Sequence, residues 1–287
     1  MILTSASREA RVRRRRPKPR GLVIAAIAVI STMALAALLA PVLAPYSQSQ
    51  TDLMNTLSAP SAAHPLGTDS MGRDTLSRLL YGAQLSLLAP LAVVLLTTVV
   101  GTIIGLIAAR VGGVLDLLLS RGMDIVYAFP ALLLAMLSVA IFGPGLVAPV
   151  CALAIAYVPF IGRLVRNAAQ QEQAKPYVGA HAVMGFSGTW ITIRHILPNI
   201  VPMLMAQSTL AFGYAMIDLA ALSYLGLGVQ PPQADWGSMI AASQSAVLQG
   251  SMWSFLFPGV AVILTVLSVN IIGSALTDRF GAVGGKR

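Results

Sequence analysis

The chain has 287 residues, of which 56% are hydrophobic and only 10% charged. A soluble domain carries about 25% charged residues, so this composition excludes a compact water-soluble globule of such length. The net charge of +9 is concentrated at one end, and the single cysteine, Cys151, excludes an internal disulfide framework and a multi-cysteine zinc site. The chain reads as an integral membrane protein.

Residues 1–20 hold eight Lys and Arg (Arg8, Arg11, Arg13, Arg14, Arg15, Arg16, Lys18 and Arg20). Directly before an apolar stretch, such a run reads as a topology determinant that touches anionic headgroups rather than as a nucleic-acid arm. The first apolar stretch, 22–43, is too long for the roughly 7–15-residue apolar region of a signal peptide, and is read as a retained helix (first transmembrane unit, 21–43). The loop 44–84 begins polar. Leu76, Leu79, Leu80 and Ala83 then recur at helical spacing, opposed by Arg73, Ser77, Arg78 and Gln84. This is expected to be an amphipathic helix capped by Asp69 or Ser70. It lies along the outer surface or leads into the second span.

Five further stretches approach the roughly 20 apolar residues needed to cross a bilayer. They are 85–109, 125–142, 146–162, 199–222 and 254–277. Gly143-Pro144-Gly145 reads as a tight turn between the third and fourth. Pro90, Pro130, Pro159 and Pro202 fall inside spans, where neighbouring helices can satisfy the freed carbonyls. The fold class is therefore all-α with six transmembrane helices: a five-helix core over 85–280 and a tail at 281–287. The basic residues put 17 Lys and Arg on one side and leave Arg73 and Arg78 on the other. With six spans both termini share the basic side, which is expected to be the cytoplasm.

Two connections carry their own pattern. In 163–198, Pro176 suits a first helical position and Gly185 a C-terminal stop. Between them Tyr177, Ala180, His181 and Met184 form one stripe, followed by Trp190, Ile193 and Leu197, with Pro198 opening the fifth span. A short helix with an apolar stripe calls for a partner surface or for the bundle's own base. The connection 226–253, with Pro231-Pro232 and Asp235-Trp236, is a re-entrant segment, a surface segment or a plain loop.

The chemical inventory is sparse. There is no phosphate-binding loop and no metalloprotease or serine-hydrolase motif. His64, His181 and His195 make no local metal-ligand pattern. Asp124 opens the third span and is expected to pair with Arg121 at i−3, whereas Asp218 has no evident partner in the fifth span. These features describe a pathway without its own engine. A self-sufficient ion-coupled carrier is the rival reading, and it predicts more mid-membrane ionisable residues than the chain contains.

Four blocks in order carry a family likeness. Residues 177–185, followed by Arg194-His195-Ile196-Leu197-Pro198-Asn199, resemble the "EAA" loop of ABC-importer permeases. The stretch 64–69 with Gly72-Arg73-Asp74, the stretch 222–232 with Asp235-Trp236-Gly237, and Arg121, Asp124, Ala128, Phe129 and Pro130 resemble the C-type (DppC/OppC-like) permease of dipeptide, oligopeptide and nickel importers. The resemblance implies a type I importer fold in a bacterial inner membrane, forming half of a heterodimeric pore with a second homologous permease. It also implies one or two cytoplasmic ATPase subunits holding the ATP and magnesium, with no cofactor and no enzymatic activity on this chain. An extracytoplasmic substrate-binding protein would be a further partner, and nucleic acid would not.

On that resemblance Tyr177, Gly179, Ala180, His181, Met184 and Gly185 couple to the ATPase. Asp69, Arg73, Asp74, Asp235 and Trp236 face the binding protein. The sequence departs from the pattern at Gly179, which replaces the loop glutamate, and at His181, which replaces its second alanine. The acid that relatives place before A-x-L-S falls at Leu219, one residue after Asp218.

Overall fold

The computed structural model describes residues 19–284. Their architecture is helical, with one isolated bridge between Thr68 and Asp74. Helix α1 spans Arg20–Leu38, and a further turn, Ala40–Leu43, completes the first apolar stretch. Residues beyond this range, including the basic run before Pro19, lie outside the described part.

Helix α2, Thr75–Val111, is a single rod of 37 residues, about 56 Å long at 1.5 Å per residue. The amphipathic helix expected before residue 85 is thus the lead-in to the second span, and its cap is Asp74, not Asp69 or Ser70. The Asp74 carboxylate accepts from the Ser77 backbone N–H at 2.7 Å. The polar side of this segment turns inward: Ser77 and Arg78 are buried against the preceding loop.

The third apolar stretch is not one helix. Helix α3, Gly113–Tyr127, and helix α4, Ala131–Phe142, meet at 79°. Pro130 has no N–H to give to the Val126 carbonyl, and it disfavours helical geometry at Phe129. With 12 residues, α4 reaches about 18 Å, short of the roughly 30 Å hydrocarbon core. The described residues therefore hold five continuous helices of membrane-spanning length and one bent apolar pair.

Helix α5, Val147–Gln173, returns to the basic end, where α6, Pro176–Val183, turns away. The chain then re-enters through α7, Gly188–Ile191, a π-helical turn at Thr192–Ile196 and α8, Leu197–Tyr224. Pro198 does not open this span. The widened turn, with the Leu197 N–H donating to the Thr192 carbonyl, carries the helix past a residue that cannot donate. At the opposite end α9, Trp236–Ala242, and α10, Gln244–Leu248, lie on the bundle as a surface segment. Helix α11, Trp253–Gly284, completes the fold.

Packing rests on small residues. The most extensive helix pairing is α2 on α5, where Gly101 and Gly105 on α2 face Ile161, Gly162 and Val165 on α5. Val93, Ala135, Leu153, Ala215 and Leu222 form one core cluster between α2, α4, α5 and α8. Polar links cross the same seams, Thr97 Oγ1 to the Ala154 carbonyl at 3.0 Å and Thr98 Oγ1 to Ser208 Oγ at 2.9 Å. Between helices in lipid, where burial in apolar surroundings gives no drive to associate, such close packing and hydrogen bonding hold the bundle.

Candidate functional site

At the basic end, α6 is bounded as its sequence requires. Pro176 occupies the first turn, and Gly185 adopts φ +87°. The Gly185 N–H donates to the Ala182 carbonyl at 3.0 Å, and that of Phe186 to the His181 carbonyl at 3.2 Å. This is the Schellman pattern, which favours glycine because the left-handed conformation crowds a Cβ.

The stripe read as one face divides in two. Tyr177 and His181 are half-buried and turn toward the bundle. Asn199 donates to Tyr177 Oη at 3.1 Å, and His181 Nδ1 donates to the Tyr177 carbonyl at 2.7 Å. The His181 ring lies 4.2 Å, centre to centre, from that of His195, and Trp190 stacks on Phe186 at 4.2 Å. Gly179, Ala180, Val183 and Met184 form the outward face, with Val183 90% and Met184 63% exposed. Sequence reasoning missed Val183. The signal was present as a second series at i, i+1, i+4 and i+5, but it begins on Gly179, which has no side chain to count.

A Cβ added at Gly179 meets nothing within 4 Å. Gly179→Ala is therefore expected to stabilise α6 by about 1 kcal/mol. The check is amide exchange over 180–184, slowed about fivefold.

At the opposite end the five residues expected to face a partner are all buried. Within this chain their side chains hold the loops in shape rather than standing on its surface. Asp69 accepts from the Met71 and Arg73 backbone N–H groups at 2.8 and 3.0 Å and pairs with Arg73 Nε at 2.7 Å. Arg78 reaches Asp69 at 3.7 Å and donates to the Gln48 carbonyl at 3.0 Å. Asp74 binds His64 Nδ1 at 3.0 Å.

Asp235 caps α9 by accepting from Gly237 and Ser238, and burial pushes its carboxyl above the usual range against those hydrogen bonds. Trp236, 2% exposed, donates through Nε1 to the Leu79 carbonyl at 3.1 Å. Among the large hydrophobic side chains that this end exposes are Leu53, Met54, Met71 and Leu248.

Polar groups also link the helices to one another. Asp124 pairs with Arg121 at 3.8 Å, as expected, and with Arg163 at 3.2 Å, whose guanidinium lies 4.5 Å above the Tyr127 ring. Asp116 forms a two-pronged pair with Arg166 at 2.5 Å for each arm, tying α3 to α5. Asp218, for which the sequence offered no partner, accepts from Tyr157 Oη at 2.6 Å. Both pairs join residues 50 or more apart, so no local spacing could have found them. No group of three or more potential metal ligands occurs among the described residues.

The family model "Binding-protein-dependent transport system inner membrane component" matches residues 101–282, and "N-terminal TM domain of oligopeptide transport permease C" matches 13–60. The chain is 41% identical over 261 residues to a dipeptide transport system permease protein of Alkalihalophilus pseudofirmus, covering 91% of this chain and 86% of that protein. It is 41% identical over 248 residues to a di/tripeptide transport system permease protein of Pseudomonas aeruginosa, covering 84% and 82%. It is 38% identical over 267 residues to a probable D,D-dipeptide transport system permease protein of Escherichia coli, covering 93% and 89%. Among solved structures, an inward-facing conformation of the MetNI methionine ABC transporter matches with a TM-score of 0.56 at 21% identity. It covers 72% of this chain and 96% of that chain.

Proposed function

Because the chain belongs to the family of binding-protein-dependent transport system inner membrane components, we propose that it forms half of the pore of an ATP-driven importer of short peptides. The observation that carries the coupling half of this reading is α6. It is a short helix at the basic end, closed by a Schellman turn at Gly185, whose outward face is apolar and whose inward face is tied to the bundle. The peptide half rests on relatives named as dipeptide and di/tripeptide permeases across most of their length.

In this reading both termini and α6 are cytoplasmic, as the Lys and Arg asymmetry directs. ATP and magnesium are held by one or two ATPase subunits, and this chain performs no catalysis. A second homologous permease completes the pore, and an extracytoplasmic binding protein delivers peptide to the opposite end.

The geometry supplies a lever. Gly179, Ala180, Val183 and Met184 are the surface on which the ATPase pushes, and Gly185 ends the helix sharply. Lys175 grips Glu172 at the end of α5 at 2.6 Å, and Asn199 grips Tyr177 at the start of α8. A displacement of α6 is thus delivered to the two long helices that meet at Tyr157 and Asp218, rocking the bundle between inward- and outward-open states. The ion-coupled carrier is not favoured, since the relatives matched over most of the chain are permease proteins of transport systems and the family model is that of binding-protein-dependent systems.

The test is co-purification of the tagged chain in mild detergent, with Val183→Asp and Met184→Asp combined. Burying two carboxylates in an apolar contact is expected to weaken ATPase capture more than tenfold, at about 1–3 kcal/mol or more per unpaired group, while the second permease is retained. Purification of the chain alone, with peptide driven by an ion gradient in proteoliposomes containing nothing else, overturns the reading.

A further inference from the structure

Asp218 sits six residues inside the outer end of α8 at Tyr224, about 9 Å along the helix. Its partner Tyr157 lies ten residues into α5, about 15 Å from Val147. The pair is therefore within the hydrocarbon depth of the bundle, at the seam of the two helices that α6 moves. Asp218 is half-buried, and Tyr214, one turn before it on the same face, is 64% exposed. One hydrogen bond, from Tyr157 Oη at 2.6 Å, occupies one carboxylate oxygen, and no basic side chain pairs with it among the described residues. A carboxylate on a lipid-facing surface is costly, so this face belongs on a water path or against protein, while the purely aliphatic face of α2 at Leu88, Leu95, Val99 and Ile103 suits lipid.

Resting on the importer reading above, we propose that Asp218, oriented by Tyr157, takes the α-ammonium group of the peptide as it passes through the pore. The chemistry fits that ligand. A fixed carboxylate accepts charge-assisted hydrogen bonds from an ammonium. The tyrosine one turn away, Tyr214, presents an aromatic ring to the same cation. With a single negative charge and one neutral donor, the site has no group that would hold the peptide's carboxylate, so it binds one end of the substrate and releases it readily. No ion is carried and no bond is broken; the interaction is electrostatic throughout.

The experiment uses the complete transporter in proteoliposomes, with uptake of alanyl-phenylalanine counted per assembled complex. Asp218→Asn is expected to lower uptake about tenfold, the effect of losing one charged hydrogen bond. Tyr157→Phe should lower it less, and Asp218→Glu should restore most of it. Asp218→Cys, in a Cys151→Ser background, is expected to react with a membrane-impermeant cationic thiosulfonate, because the position is reached from water. Wild-type uptake by Asp218→Asn, or a cysteine at 218 that stays unlabelled in every nucleotide state, overturns the assignment. So does loss of the second permease from both Asp218→Asn and Tyr157→Phe, which makes the carboxylate an interchain contact. A wild-type complex that assembles with its ATPase and moves no peptide overturns the substrate reading itself, separately from the role of Asp218.

Discussion

Gly105→Leu is expected to destroy the seam between α2 and α5, with a loss of about 3 kcal/mol or more and a fall in Tm of about 10 °C in detergent. A Cβ at this position stands 2.5 Å from the Gly162 carbonyl oxygen, 2.9 Å from Val165 Cβ and 3.0 Å from the Arg166 backbone nitrogen. Two of these three are backbone atoms, so no rotamer change makes room and the helices must separate. Gly162→Ala makes the contrast: its Cβ meets Met123 Sδ at 2.6 Å, the movable end of a flexible side chain, and a modest loss is expected. Gly122→Ala meets nothing within 4 Å and is the control. A Tm for Gly105→Leu within 2 °C of the wild type would show that the two helices do not rely on this close approach. Separation of the helices also shifts Arg163 and Arg166, which hold α3 through Asp124 and Asp116, so lost assembly should accompany lost stability.

This seam was partly legible. Gly101-x-x-x-Gly105 is a small-residue motif in an apolar helix, but its partner on α5 cannot be read from one strand of sequence. What apolar content does report is where the membrane-embedded stretches lie, five continuous helices of spanning length and the bent pair α3–α4 among the described residues. It does not report direction, because a hydrophobic run scores alike whether the axis is straight or turns by 79° at Ala128-Phe129-Pro130. Pro130 was visible as a residue that neighbours could accommodate, as Pro90 and Pro159 are within α2 and α5. At Pro130 the axis does turn, and α3, before the bend, is joined to α5 by the Asp116–Arg166 and Asp124–Arg163 pairs.

The ends of α6 were legible residue by residue because caps are local chemistry, Pro176 at one end and Gly185 at the other. The outer loops were not. Asp69, Arg73, Asp74 and Asp235 look solvent-facing under the ordinary rule that charges seek water. Here each has a partner within its own loop or across to the next, so they satisfy one another while Leu53, Met54 and Met71 stand exposed. The consequence for function is a division of stiffness. The opposite end is held by buried hydrogen bonds, while α6 is joined to α5 and α8 by the Lys175–Glu172 and Asn199–Tyr177 links, in which Lys175 and Asn199 are exposed.

The strongest test of that division is Arg78→Met, which keeps much of the stem's volume and removes the charge. Arg78 is 4% exposed. It joins three segments: the loop at Gln48 through its carbonyl, the turn at Asp69, and α2 on which it stands. Gln48 in turn accepts from the Ala234 N–H through its side chain at 3.2 Å, so the link extends to the residue before Asp235. Removing one partner of a buried ionic group costs about 3–5 kcal/mol, because the groups left behind remain desolvated. Asp69 keeps Arg73, but the Gln48 carbonyl loses its donor and the 44–52 segment its tether. Faster amide exchange at 46–52 and 230–238 is expected, together with a Tm lowered by about 10 °C. ATPase capture through α6 should be unchanged in the cold, since no residue of α6 touches this cluster. Arg78→Lys should rescue little, for an ammonium on a flexible stem does not reproduce the fixed fork that bridges Gln48 and Asp69. If exchange rises equally over 177–184, the two ends share one cooperative unit, and the lever by which α6 moves α5 and α8 would have to include the outer loops.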